Sequence, residues 1–249
     1  MAKDALVALE SALRERKLDR TLITALPSID RDDASGGLVP TGIASLDACL
    51  RGGLPRGHLS EIVGPRSSGR TTLLLQILAT ATRRGEIVAV VDTFDRFDVA
   101  SAIAAGLDTE RLLWIRGDAI TGNGDLPERT VARAIKAVNL VLQAGGFACV
   151  AIDLADVPCA VLARIPFTTW LRIQHVVEGR DTACVLVGSQ PMARSAGGLT
   201  LALTARTRWA GDTDRGRHVC GADVTARIVS PRRRVEGNVA FQAVVASTN

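Results

Sequence analysis

Short, fully apolar runs alternate along this chain with longer amphipathic segments. "HLSEIVG" (58–64), "IVAVVD" (87–92), "LLWI" (112–115), "ACVAID" (148–153) and "TACVLVGS" (182–189) each predict a strand, that of 87–92 a buried one. Helical patterns lie between them. Residues 69–84 form one, stopped at Gly85, and "DVASAIAAG" another, stopped at Gly106. A longer one opens near Pro127 and ends at Gly145-Gly146, and a further one is opened by Pro166. Apolar strands separated by helices imply an α/β fold with a mostly parallel sheet covered on both faces. Residues 200–209, 222–229 and 238–246 are β-like with no helix between them. They are expected to extend the sheet as antiparallel strands.

Upstream, Ala5, Leu6, Ala8, Leu9, Ala12 and Leu13 form one helical stripe within residues 2–17, and "PSIDRDDASGG" follows as a polar linker. Thr41 is placed to cap a short helix that turns Leu46, Cys49 and Leu50 inward and ends at Gly52-Gly53. The pattern divides the chain into residues 1–35, a helix and linker, and residues 36–249, a single α/β core.

Composition narrows the classes. Hydrophobic residues are 47% of 249, enough for one large core. No apolar run reaches the length of a membrane span, and acids interrupt the first twenty residues. A cytoplasmic protein is expected. The five cysteines are scattered without a CxxC pair, which disfavours zinc and suits reduced, buried thiols. His58, His175 and His218 lack metal-ligand spacing, and no nucleophile-turn triad is present. The net charge of +4 is unevenly placed. Residues 204–249 carry eight arginines against four acids, while the preceding residues are balanced. That excess suits a polyanion. A solvated tail in an arginine-rich chain explains it equally simply.

The chemistry concentrates in "GPRSSGRTT" (64–72), which sits between a predicted strand and a predicted helix. The spacing G-x-x-x-x-G-[KR]-T lets successive backbone N–H groups line one concavity, with the positive end of a helix behind it. A triphosphate fits such a seat, and so does a simpler anion. Thr71 offers a hydroxyl to Mg²⁺, and Asp153, at the end of an apolar strand, is where a second metal-side carboxylate belongs. Arg70 stands where lysine is usual. Its forked guanidinium keeps the charge but is larger and planar. About 1 Å of misplacement costs roughly a hundredfold in rate. Hydrolysis is therefore expected to suffer more than binding.

"VPTGIASLDACLRGGLPRGHLSEIVGPRSSGRTTLLLQ" (39–76) closely resembles the corresponding part of the bacterial RecA recombinases, where the loop reads GPESSGKT. The resemblance runs from the N-terminal helix to the final strands, without RecA's C-terminal domain. The compact build, "GLPRG" and "TTWLRIQHVVEG" look more like the ImuA-type, RecA-like accessories of mutagenic translesion synthesis.

The resemblance implies a RecA-like P-loop core over 36–249 that holds ATP and Mg²⁺. Gly64, Pro65, Arg66, Ser67, Ser68, Gly69, Arg70, Thr71 and Thr72 would cradle the phosphates, and Thr71 and Asp153 would hold the metal. Gln190 falls where the family places a glutamine that senses the γ-phosphate; without the resemblance it is an ordinary polar residue at a strand end. The family's water-orienting glutamate aligns with Phe94, which cannot hold water, and only a one-residue bulge would bring Asp95 into its place. Such positioning is worth about 10²–10⁴-fold. A slow DNA-dependent ATPase, or none, is expected. The DNA loops are abbreviated, leaving Arg194, Arg232, Arg233 and Arg234 for weak, sequence-blind phosphate contacts. Base-stacking platforms are scarce, with Trp170 and Trp209 the aromatics to consider and Trp170 better read as core. Implied partners are DNA, a translesion polymerase or RecA itself, and a second copy of the chain, with no membrane. The role is SOS-type DNA repair, with a protein-contact scaffold or a working recombinase as the alternatives.

Overall fold

The computed structural model describes residues 37–117, 127–193, 198–212, 216–229 and 237–244. The expected N-terminal helix and its linker lie outside the described residues, as do Arg194 and Arg232, Arg233 and Arg234.

A two-stranded antiparallel pair, β1 (Leu38–Val39) with β2 (Leu54–Pro55), brackets helix α1 (Ala44–Cys49). Then come β3 (Leu59–Val63), α2 (Arg70–Arg83), β4 (Val88–Asp92), α3 (Val99–Ala104), β5 (Leu112–Arg116) and α4 (Pro127–Ala144). β6 (Cys149–Asp153), the short α5 (Cys159–Leu162), α6 (Phe167–Val177) and β7 (Ala183–Gly188) follow. The chain closes with β8 (Thr200–Ala210), β9 (His218–Val229) and β10 (Gly237–Val244).

Eight strands form one sheet in the order β10-β9-β8-β3-β7-β6-β4-β5. From β8 to β5 all neighbours are parallel, and β8, β9 and β10 are antiparallel, as the loss of helical segments after residue 200 predicts. The inner parallel strands β3, β4, β6 and β7 are buried on both faces and read as near-continuous apolar runs, whereas the edge strand β5 has no fully buried residue. On one face, Leu73, Leu74, Ile77 and Leu78 of α2 pack with Leu46 of α1 and Ala102 of α3. On the other, Val131, Ala134, Val138 and Leu142 of α4 pack with Trp170, Ile173 and Val177 of α6. Both sets follow the three- and four-residue spacing of an apolar helix face. Among the described residues no helix is long and apolar enough to cross a membrane.

Two local expectations change. Thr41 does not cap α1; the N-cap is Ile43, and Thr41 donates through its N–H and hydroxyl to Asp47 Oδ1 at 2.7 and 2.8 Å. Asp47, one turn into the helix, is thus what ties down the approach. Cys49 is exposed rather than inward, because the short helix buries only Leu46 and is followed by the buried Leu50. Trp209 is 53% exposed near the far end of β8, with the Arg217 guanidinium 5.5 Å from its ring centroid, whereas Trp170 is core as expected.

Register places β8 beside the loop after β3. β8 pairs with β3 only from Thr200 to Ala202, opposite Glu61 to Val63, and then runs on past the end of β3. Leu203 of β8 and Val224 of β9 consequently wall the loop that follows.

Candidate functional site

The loop 64–69 leaves the C-terminal end of β3 and feeds directly into α2. Gly64 has no room for a side chain: a Cβ there would lie 2.4 Å from the Leu203 carbonyl oxygen and 2.6 Å from Ser68 Oγ. Gly69, the N-cap of α2, has φ +89°, and its Cβ would meet Val224 Cγ2 at 3.2 Å. The left-handed region is disfavoured for other L-residues. Ser67 also sits in the left-handed region, with φ 59°. These bends aim the first amides of α2, which have no intrahelical acceptor, out of the loop. Pro65, Arg66, Ser67, Thr71 and Thr72 are exposed around it. Ser68 Oγ is buried without a hydrogen-bond partner. An anion with several oxygens fits this set of donors.

Arg70 is the first residue of α2 and is only 8% exposed. Its Nη1 donates to the Gly188 carbonyl, at the end of β7, at 2.7 Å. The Gly64 amide shares that acceptor at 3.3 Å. Burial lowers the guanidinium pKa, while Asp153 and Asp156 nearby push it back up. Arg66, by contrast, reaches out of the loop to Asp156 at 3.1 Å.

Asp153 ends β6, and its Oδ1 accepts from the Ala155 amide at 2.8 Å. Burial raises its pKa above the usual carboxylate range, with the neighbouring Asp92 adding to the effect and the Ala155 hydrogen bond and Arg70 opposing it. The register pairs Asp153 with Asp92 across β6 and β4, so both acids stand at one end of the sheet. Thr71 is exposed on the first turn of α2. Gln190 is exposed two residues beyond Gly188. It borders a groove of about 320 Å³ together with Phe167, Trp170 and Met192.

Both acids near the end of β4 are already engaged. Asp92 accepts from the amides of Arg96 and Phe97, both at 2.8 Å, and from Trp114 Nε1 at 3.2 Å. Phe94 is 5% exposed and packs in the α4/α6 core. That burial is worth about 1.5–3 kcal/mol. Asp95 does have a positive φ of 57°, but the bend delivers its carboxylate to Arg116, with two contacts of 2.8 Å. The bulge that would have placed Asp95 in the glutamate's position is therefore not what forms. Hydrogen bonding to Arg116 lowers the Asp95 pKa and raises that of Arg116.

Glu61 was not among the residues singled out from sequence. It lies 1% exposed in β3, where its Oε1 accepts from the amides of Met192 and Ala193 at 2.6 and 2.8 Å. Its Oε2 accepts from Thr200 Oγ1 at 3.0 Å. The signal was present: "LSEIV" places one acid inside an otherwise apolar strand. Its partners are about 130 residues away, so only the fold identifies them. Among the described residues no group of three or more His, Cys, Asp or Glu could hold a metal ion. A metal at this loop would need oxygens from its ligand as well.

Comparison with known proteins gives the family. RecA of Nitratidesulfovibrio vulgaris is 39% identical over 136 residues, covering 54% of this chain and 38% of that protein. RecA of Thermus thermophilus is 34% identical over 172 residues, covering 68% of this chain and 46% of that protein. The matches thus span less than half the length of these relatives. The profile of the RecA N-terminal domain matches residues 8–162, more than half of the sequence, and the chain belongs to that family.

Proposed function

We propose that this protein binds ATP with Mg²⁺ as a conformational ligand, hydrolyses it slowly or not at all, and serves DNA repair as an accessory of damage-tolerant synthesis. One observation carries the reading: a phosphate-shaped loop follows β3 in the same parallel sheet whose β4 ends with Phe94 in the core and both nearby acids engaged. The amides at the start of α2 would hold phosphate oxygens, with Gly64 and Gly69 keeping the approach open. Thr71 and Asp153 would hold the metal, and Gln190 would respond to the terminal phosphate. When bound, the Mg²⁺ complex supplies charge neutralisation between phosphate oxygens. Arg194, Arg232, Arg233 and Arg234 would give salt-sensitive contacts to DNA. A translesion polymerase or RecA is the expected protein partner, in the cytoplasm, with self-association a further expectation.

Titration with a fluorescent ATP analogue, with and without Mg²⁺, tests this directly. Micromolar, Mg²⁺-dependent binding that is lost in Thr71→Ala is the expected result. DNA-stimulated turnover at the rate of an active recombinase would refute the slow-hydrolysis reading.

A second reading is a scaffold that takes no nucleotide and works by protein contacts alone. The observation favouring it is the buried Arg70 guanidinium, which is held by a backbone carbonyl rather than presented to solvent. Absence of analogue binding at millimolar concentration would select it.

A further inference from the structure

The turn after β7 is held at both ends by groups from the other side of the loop. At its start, Gly188 O accepts from Arg70 Nη1 at 2.7 Å. At its end, the amides of Met192 and Ala193 donate to Glu61. Between these anchors residues 189–191 are only partly covered, and Gln190 is exposed. The turn folds back tightly: a Cβ on Gly188 would lie 2.5 Å from Met192 Cε. The Met192 side chain thus rests against the Gly188 peptide, which lies only four residues before the Met192 amide in the chain.

A guanidinium has five donors in a rigid fork, and a phosphate oxygen offers it an opposite charge and bidentate geometry that a single neutral carbonyl lacks. Phosphate oxygens seated at the start of α2 would lie one residue from the root of the Arg70 side chain. We propose that Arg70 is a positioning residue whose guanidinium is contested between the Gly188 carbonyl and a bound polyphosphate, so that loading the loop slackens the turn 189–193. This rests on the nucleotide-binding reading. It assigns to the arginine a task that a compact ammonium, with no planar fork, performs poorly. The Gly64 amide, at 3.3 Å, is too long a bond to hold Gly188 O alone.

Amide hydrogen exchange at Met192 and Ala193 in the full chain tests this. Saturation with a non-hydrolysable ATP analogue and Mg²⁺ should speed exchange at these two amides by about tenfold, the factor carried by a hydrogen bond to a charged group. Inorganic triphosphate with Mg²⁺ should do the same, because the phosphates alone compete for the guanidinium. Arg70→Ala should exchange fast without any ligand and gain nothing further on adding one. If Arg70→Ala does not fold, the triphosphate arm on the wild-type chain still decides. Binding of analogue or triphosphate that leaves both amides unmoved overturns the proposal, as does wild-type protection in unliganded Arg70→Ala. Failure of every ligand to bind is a different result, and it overturns the nucleotide reading itself.

Discussion

Removing the Glu61 carboxylate is expected to be the most damaging single change near the loop that touches neither the loop nor its ligand. Glu61 is 1% exposed and accepts from two backbone amides and one hydroxyl, at 2.6, 2.8 and 3.0 Å. Glu61→Ala leaves both amides without an acceptor. A buried donor without a partner costs about 1–3 kcal/mol, so the pair gives roughly 2–6 kcal/mol. Native domains have only about 5–15 kcal/mol of stability in total. Glu61→Gln behaves differently. Its carbonyl oxygen can still face the two amides, and its NH₂ can donate to Thr200 Oγ1, so the loss is that of the charge, about 1–2 kcal/mol. Urea unfolding followed by far-UV circular dichroism reads both variants. With a slope of about 3 kcal/mol per M, the alanine midpoint falls by roughly 0.7–2 M and the glutamine midpoint by roughly 0.3–0.7 M. Equal midpoints for the two variants would refute the reasoning, because they would make the side chain's volume rather than its acceptors the source of stability.

Gly64→Ala forces a Cβ against the Leu203 carbonyl and Ser68 Oγ, and should abolish analogue binding in the same titration while lowering the urea midpoint. Asp153→Asn should weaken Mg²⁺-dependent binding yet raise the stability of the unliganded protein at pH 7. Its folded-state pKa is raised by burial, so the native form binds more protons than the unfolded one and loses stability as pH climbs from the unfolded to the folded value. The wild-type midpoint should fall across that window and the asparagine variant's should not, by urea titration at a series of pH values. In the native protein a thiol-reactive dye should modify the exposed Cys49 and Cys159 quickly and spare Cys149 and Cys184. Burial pushes the Cys149 thiol up to about 12 and that of Cys184 higher still, so neither offers a thiolate; mass spectrometry of labelled peptides distinguishes them.

The alternation of apolar runs and amphipathic segments was enough to determine the α/β class, the order of elements from β3 to β10 and the position of the loop. These are local properties: a strand buried on both faces must be apolar throughout, and a helix packed on one face of a sheet must show one apolar stripe. The glycine spacing of 64–69 carried the loop's backbone shape for the same reason, since few other residues accept those angles beside a packed wall. Which groups face one another was decided by the tertiary structure alone. Phe94 and Asp95 are adjacent in sequence, yet one side chain entered the core and the other met Arg116 on the neighbouring strand. Arg70 found its acceptor at Gly188 and Glu61 found its own at Met192 and Ala193, more than a hundred residues away in each case. A buried charge must be matched by whatever polar groups the packed chain brings within about 3 Å, and that list is written by sheet order and register.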